Sequence, residues 1–275
     1  MNKWILGARP RTLPAAIAPV VVAVAIAYPT FNFINALLAM VVGLALQIAV
    51  NYANDYSDGI KGTDAERVGP TRLVASGLAT AAEVKQAAIA AFGIGGVAGL
   101  YLSLRTSYWL IAIGAAAIIA AWRYTGGKNP YGYRGFGEIY VFIFFGLVAT
   151  IGTYYGQTGQ VGIEVIMAAI SNGAVACALL AVNNIRDIEG DTKVGKRTLA
   201  VRLGDTRARR FYMFLIFIAI FTSFTVTILA ALGIFPAIRL LKEIQVRKGK
   251  ELIAVLGATG TVSYTHLTLP TTSRV

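Results

Sequence analysis

Residues 33–64 read FINALLAMVVGLALQIAVNYANDYSDGIKGTD, an apolar run that passes directly into a dense polar segment. The apolar part, Phe33–Val50, is close to the length of about 20 residues that a helix needs to cross a bilayer. Asn51, Asp55 and Asp58 follow at i, i+4 and i+7, a spacing that places side chains on one face of a helix. The stretch therefore predicts a membrane-spanning helix that carries acidic groups at its membrane edge.

The composition sets the class of protein. Of the 275 residues, 56% are hydrophobic and 14% are charged, with 25 Lys and Arg against 13 Asp and Glu. A soluble domain carries about 25% charged residues, and a nucleic-acid binder with this basic excess needs a large polar surface. We therefore expect a polytopic membrane protein with no nucleic-acid partner. The single Cys177 excludes a disulfide framework and a Cys-based metal site, and the single His266, in the last ten residues, argues against His-ligated zinc and a Ser-His-Asp triad.

Seven apolar regions divide the chain. They are Leu13–Pro29, Phe33–Val50, Val84–Leu104, Tyr108–Trp122, Gly137–Tyr155, Val161–Val182 and 211–241. The last region is long for one upright helix, so we expect a tight hairpin that breaks near Leu229–Gly233, with one long tilted helix as the alternative. The predicted fold class is an all-α, polytopic transmembrane helical bundle with about eight spans.

The connections between these regions alternate between very short and long charged segments. The long segments follow the second, fourth and sixth spans, whereas Arg105 is the one basic residue in a short connection. Because basic residues favour the cytoplasmic side, we expect a multi-pass protein of the inner (cytoplasmic) membrane with its charged loops in the cytoplasm. Arg207, Arg209 and Arg210 are assigned mainly to this topological role and to anionic lipid.

The polar loops also repeat. At an offset of 132 residues, Asn51 aligns with Asn183 and Asp55 aligns with Asp187, each pair directly after an even-numbered span. This correspondence favours an internal duplication of helical units. We therefore expect two acidic faces to meet at one membrane surface.

Carboxylates at the mouth of a helix bundle suit Mg²⁺, which is usually held by one or two carboxylates together with substrate phosphates. The predicted metal ligands are Asn51, Asp55, Asp58, Asn183, Asp187 and Asp191, and the four aspartates are also the predicted catalytic residues. The cations predicted to bind diphosphate are Lys61, Arg67, Arg72, Lys193, Lys196 and Arg197. Together these groups predict metal-assisted departure of a diphosphate. The alternative for single Asp and Asn residues is a cap or a turn.

A third polar segment, WRYTGGKNPYGYRGFGE, spans residues 122–138. Its rings and cations offer a stacking surface and a charge partner to an aromatic acceptor with an anionic substituent. We predict acceptor-binding roles for Tyr124, Lys128, Tyr131 and Arg134. The alternative is an ordinary belt of interfacial aromatic residues.

These three segments resemble the UbiA superfamily of intramembrane aromatic prenyltransferases. NYANDYSDGIKGTD at 51–64 looks like the first Asp-rich motif of that superfamily, and NNIRDIEGDTKVGKRTLAVRLG at 183–204 looks like the second. With GARPRTLPAAIAPV at 7–20 and YTGGKNPYGYRGFGE at 124–138, the chain is most similar to the 1,4-dihydroxy-2-naphthoate polyprenyltransferases of menaquinone synthesis.

The resemblance implies a bundle of usually nine helices that binds a polyprenyl diphosphate through Mg²⁺ held between the two motifs. It implies ionisation of the allylic C–O bond, attack by the naphthoate ring, and loss of diphosphate and CO₂ to give demethylmenaquinone. The implied partners are a polyprenyl diphosphate, an aromatic acceptor and the lipid bilayer. The departure from the family lies after Val262, where the ninth helix is missing or replaced.

Two boundaries and two alternatives complete these expectations. Residues 1–262 are predicted to form one transmembrane prenyltransferase domain, and residues 263–275 a tail foreign to the family, for which a cloning or sequencing artefact is one explanation. A related enzyme with another acceptor, such as 4-hydroxybenzoate, is the alternative within the class. A secondary transporter is the alternative from another class, since internal repeats and acidic groups occur there too.

Overall fold

The structure is a computed structural model that describes residues 2–63, 70–226 and 234–260, and every regular element in these residues is helical. The helices are α1 (Lys3–Ala8), α2 (Pro14–Ile26), α3 (Phe33–Ile60), α4 (Ala81–Arg105), α5 (Trp109–Arg123), α6 (Gly137–Val141), α7 (Ala149–Thr158), α8 (Ile163–Arg186), α9 (Ile188–Lys193), α10 (Leu199–Leu203), α11 (Asp205–Val226), α12 (Ile234–Val246) and α13 (252–260). Short 3-10 helices lie at Pro10–Thr12, Tyr131–Arg134 and Gly249–Glu251. The all-helical, polytopic class is confirmed.

Five helices in the described residues are long and apolar enough to cross a membrane: α3, α4, the continuous helix Gly137–Thr158, α8 and α11. The helical segments Lys3–Thr12 and Pro14–Ile26 meet at 51°, and they make a sixth crossing if the bent pair is one span. The break follows from Arg9, whose left-handed backbone ends α1, and from the proline that opens α2. The apolar segment predicted from Leu13 is thus preceded by a further helical segment, which is bent away from it.

Fewer helices than the predicted eight reach spanning length within the described part of the chain. Helix α5 covers the fourth predicted span with 15 residues, and α12 has 13. A helix of 13 residues is about 20 Å long, whereas the hydrocarbon core is about 30 Å thick. In the region 211–241 the structure describes α11 up to Val226 and α12 from Ile234, and the predicted hairpin break near Leu229–Gly233 lies outside the described residues.

The charged connections after α3, α5 and α8 meet at one end of the bundle. The Nζ of Lys61 donates to the carbonyl of Thr125 at 2.6 Å, and the Nζ of Lys196 lies 3.3 Å from Oδ2 of Asp58. These contacts join segments that are distant in sequence. One end of the bundle therefore collects the acidic and basic groups that the sequence pattern placed on a single side.

A different polar cluster closes the opposite end. Arg105 donates through Nε to Oδ1 of Asn35 at 2.9 Å, and Asn35 donates through Nδ2 to the carbonyl of Gly156 at 2.7 Å. Here a basic residue binds a buried amide side chain, away from the charged loops. The two ends of the bundle thus differ in charge as the alternating connections predict.

The helix Gly137–Thr158 crosses α8 at very close range. Its central turn, Phe142–Val148, is π-helical, and a Cβ added at Gly146 would lie 2.5 Å from the Cα of Gly173. Small residues allow such backbone contact between membrane helices. This crossing fixes α8 against the start of α6. It thereby also positions the second acidic segment, residues 183–191, at the end of α8.

Arg209 has a structural role that its assignment to topology did not anticipate. Its guanidinium is buried, with two hydrogen bonds to the carboxylate of Asp205 at 2.7 and 2.8 Å. It also donates to the carbonyls of Ile244 and Arg247 at the end of α12. Arg209 therefore satisfies carbonyls that the helix end leaves without internal partners.

Candidate active site

The first acidic segment is helical. Helix α3 continues through it to Ile60, so Asn51, Asp55 and Asp58 lie on its last turns and not in a loop. Asn51 is buried and donates through Nδ2 to the carbonyl of Ala8 at 2.9 Å and to Oγ1 of Thr12 at 3.0 Å. In the structure this amide connects α3 to the bent N-terminal segment.

Asp55 anchors the segment that follows α3. Its carboxylate is fully buried and accepts the backbone N–H of Leu73 at 2.8 Å and that of Val74 at 3.2 Å. A Cβ at Gly59 would lie 2.5 Å from Val74, so glycine is needed for this segment to lie against the helix. Asp55 thus holds the backbone beside Arg72, whose own side chain is 9% exposed.

Asp58 is the acidic residue that faces the second motif. It is 2% exposed, and its Oδ1 accepts the hydroxyl of Tyr133 at 2.6 Å. Its Oδ2 lies 3.3 Å from Nζ of Lys196, a lysine that is 5% exposed. A buried ion pair between residues 138 positions apart in sequence therefore joins the two acidic segments.

Lys61 is the second ammonium group near Asp58. It caps α3, and its Nζ lies 4.9 Å from the centroid of the Tyr133 ring. Partial burial lowers the pKa of Lys61, the neighbouring charge of Asp58 opposes that shift, and the charge of Lys196 adds to it. Two cations and one carboxylate leave a local excess of positive charge, which suits an anionic ligand.

The second acidic segment has a different local structure from the first. Helix α8 ends at Arg186, and the carboxylate of Asp187 accepts two hydrogen bonds from that guanidinium, both 2.7 Å long. Asp191 is 8% exposed and lies on the short helix α9. Asn183 donates through Nδ2 back to the carbonyl of Leu179 in its own helix. The repeat in sequence therefore does not produce a repeated set of contacts.

The structure places the predicted diphosphate-binding cations in different surroundings. Lys61 and Lys196 converge on Asp58, and Arg72 lies buried beside the segment that Asp55 anchors. The side chains of Lys193 and Arg197 are exposed. Arg67 lies outside the described residues.

The predicted acceptor-binding residues fall into two groups, the packed tyrosines and the exposed cations. Tyr131 stacks on Tyr140 with ring centroids 3.9 Å apart and meets the ring of Tyr124 edge-on at 5.5 Å. Burial raises the pKa of the Tyr131 phenol, whose hydroxyl donates to the carbonyl of Ala120 at 2.9 Å. Lys128 and Arg134 are exposed. The rings thus form a compact ladder, and these two cations lie at the surface.

The site contains polar groups that the sequence patterns did not single out. Thr125 donates to Oδ1 of Asn54 at 2.8 Å, and Asn184 donates to Oε1 of the buried Glu138 at 2.9 Å. Arg9 interacts electrostatically with Asp55. Asn54 and Asn184 are each adjacent to a residue of the predicted motifs, and that adjacency is the signal that could have found them.

The donor set fits a hard cation. The four aspartates are all buried, and carboxylate and amide oxygens are the ligands that Mg²⁺ takes. Across residues 2–63, 70–226 and 234–260, no three His, Cys, Asp or Glu side chains cluster closely enough to hold a metal by themselves. Separate carboxylates suit a metal whose remaining ligands are water and substrate phosphate.

The bundle and its charged end define a polytopic membrane protein with a buried acidic and basic site at one end of its helices. The sequence model of the UbiA prenyltransferase family matches residues 16–262. The chain belongs to this family.

Among curated proteins, the chain is 48% identical to the 1,4-dihydroxy-2-naphthoate octaprenyltransferase of Mycobacterium tuberculosis, across 94% of this chain and 91% of that protein. It is 40% identical to the enzyme of the same name from Escherichia coli, across 76% of this chain and 71% of that protein. Among solved structures, a UbiA homolog from Archaeoglobus fulgidus bound to GPP and Mg²⁺ has a TM-score of 0.74 at 15% identity, with 97% of each chain covered. At 15% identity, that structural likeness shows a shared fold alone.

Proposed function

We propose that this protein transfers a polyprenyl group from a polyprenyl diphosphate to 1,4-dihydroxy-2-naphthoate, with loss of diphosphate and CO₂, to give demethylmenaquinone. Relatives that are 40% and 48% identical over most of the chain carry the name of this activity, which supports the assignment. The charged end of the bundle would lie at the cytoplasmic face of the inner membrane, as the distribution of Lys and Arg favours.

The contact between Asp58 and Lys196 carries the proposal on the structural side. It brings a buried carboxylate and a buried ammonium together from the two acidic segments, with Lys61 close by. A secondary transporter binds its substrate near the bilayer midplane, whereas this pair lies at the ends of α3 and of the segment after α9. The location therefore favours a substrate whose anionic head stays at the membrane surface.

Each group has a defined task in this reaction. Lys61 and Lys196 neutralise the negative charge that builds on the diphosphate as its C–O bond breaks. Asp58, Asp187 and Asp191 would hold Mg²⁺, with Asn51, Asn183 and Asp55 as the further ligands that the motifs suggest. When bound, the metal neutralises charge on the leaving diphosphate. Asp55 also has a second task, because it orders the backbone beside Arg72.

The apolar part of the bundle protects the reaction from water. A reactive allylic cation survives only where water is excluded, and the spans around the site supply apolar walls. The ladder of Tyr124, Tyr131 and Tyr140 borders the same end of the bundle and offers aromatic faces to a flat acceptor or a cationic carbon.

The test uses membranes that contain the protein, farnesyl or geranylgeranyl diphosphate, and either 1,4-dihydroxy-2-naphthoate labelled in its carboxylate or 4-hydroxybenzoate. We expect prenylated product and labelled CO₂ from the naphthoate only with Mg²⁺, and loss of both in Asp58→Asn. Tyr108→Phe, at an exposed site outside the charged end, is the matched control and should retain activity. Exclusive use of 4-hydroxybenzoate would overturn the acceptor assignment, and metal-independent flux without prenyl transfer would favour a transporter.

A further inference from the structure

Tyr133 contacts both acidic segments. Its hydroxyl donates to Oδ1 of Asp58 at 2.6 Å and lies 3.3 Å from Oγ1 of Thr63, just after α3. Its carbonyl accepts the backbone N–H of Arg197 at 2.9 Å, just after the second acidic segment. One residue of the 122–138 segment thus joins two regions of the site that no helix connects.

The ring of Tyr133 lies beside both ammonium groups of the site. Nζ of Lys61 is 4.9 Å and Nζ of Lys196 is 4.7 Å from the ring centroid. Two like charges repel each other, and the negative face of an aromatic ring attracts each of them. The ring therefore keeps two cations close together before an anion arrives.

The hydroxyl has a separate effect on Asp58. A carboxylate can rotate and can use either oxygen toward a ligand, and each of its oxygens carries two lone pairs. Because Tyr133 occupies one lone pair of Oδ1 and Lys196 approaches Oδ2, the carboxylate plane is fixed. Its remaining lone pairs point in defined directions, as ordered metal ligands require.

We propose that Tyr133 is a positioning residue of the diphosphate site, a role that rests on the proposed prenyl-transfer function for the identity of the anion. Its hydroxyl orients Asp58 toward the metal, and its ring holds Lys61 and Lys196 in place for the diphosphate. In this role it acts through Asp58, Lys61 and Lys196. Its contribution is preorganisation, which reduces what must be ordered when the substrate binds.

The experiment measures direct binding of farnesyl diphosphate to the full chain in nanodiscs, with and without Mg²⁺, by titration calorimetry. Tyr133→Phe removes the hydroxyl and keeps the ring, so we expect affinity to fall at least tenfold with Mg²⁺ and less than twofold without it. Tyr133→Leu removes both features, and we expect affinity to fall at least threefold even without Mg²⁺. Tyr108→Phe is the matched control with unchanged binding in both conditions.

The ratio of the affinities with and without Mg²⁺ separates positioning from misfolding, because an inactive fraction of protein does not alter that ratio. A second test combines Tyr133→Phe with Asp58→Asn. If Tyr133 acts through Asp58, adding Tyr133→Phe to Asp58→Asn weakens binding less than twofold further.

Two results would overturn the proposal. One is an unchanged ratio in Tyr133→Phe, and the other is an equal loss from that substitution in the presence and absence of Asp58. Because the readout is binding of the diphosphate, a wild-type protein that binds it yet fails to prenylate the naphthoate contradicts only the proposed function. A wild-type protein that binds no farnesyl diphosphate contradicts both.

Discussion

Replacing Asp55 by alanine tests whether this carboxylate is an anchor of the backbone as well as a metal ligand. The substitution removes the acceptors for the N–H groups of Leu73 and Val74, at 2.8 and 3.2 Å. An unsatisfied buried donor costs about 1–3 kcal/mol, and since Val74 is half-buried, we expect about 2–4 kcal/mol in total. At about 2–4 °C per kcal/mol, the unfolding midpoint should fall by about 4–16 °C.

The assay combines thermal unfolding in detergent with limited trypsin digestion, read by mass spectrometry for cleavage after Arg72. That bond should be cut slowly in the wild-type protein and quickly in Asp55→Ala, because the backbone around it loses its anchor. Asp58→Asn is the matched comparison, since the hydrogen bonds of Asp58 are to the side chains of Tyr133 and Lys196, and it should leave cleavage after Arg72 slow. An Asp55→Ala protein with the wild-type midpoint and the wild-type cleavage rate would refute this reasoning.

Three further predictions concern packing, pH and helix capping. Gly146→Ala should lower the free energy of unfolding by about 1–3 kcal/mol, because the added Cβ would lie 2.5 Å from the Cα of Gly173. Gly152→Ala is the control: its Cβ would have open space, so thermal unfolding should be unchanged. Burial lowers the pKa of Lys61, so its side chain loses its proton and its positive charge at a lower pH than an ordinary lysine does. Arginine keeps its charge, so Lys61→Arg should shift the fall of kcat/KM for the prenyl diphosphate at alkaline pH to higher pH. An unshifted pH profile would argue against a role for the charge. Arg209→Gln should lower stability by about 2–4 kcal/mol by leaving carbonyls at the end of α12 without their donor, and an unchanged midpoint would contradict that capping role.

The class of fold was readable from the sequence because membrane crossing is a local property. A helix of about 20 apolar residues meets the requirement by itself, whatever its neighbours are. The spans that begin at Phe33 and Val84 are matched by helices Phe33–Ile60 and Ala81–Arg105. The bend of 51° between Lys3–Thr12 and Pro14–Ile26 was not predicted, because the apolar pattern does not report the left-handed backbone of Arg9.

The distinction between Asp55 and Asp58 was not readable. Both are acidic residues on the same face of α3, and both belong to the first Asp-rich motif. Their partners are decided by what the chain brings opposite them: Leu73 is 18 residues from Asp55, whereas Tyr133 is 75 residues and Lys196 is 138 residues from Asp58. The spacing of residues along a helix shows which side chains share a face. It does not show which residues of other segments pack against that face.

The sequence by itself thus determined a polytopic helical bundle with two acidic segments and most of its basic residues at one end, since apolar length, helical period and the distribution of charge are written in consecutive residues. Only the tertiary structure decided that Asp55 accepts the backbone N–H groups of Leu73 and Val74, that Lys196 pairs with Asp58, and that Tyr133 lies between the two segments. These assignments are contacts between distant residues, and they exist only once the helices have packed.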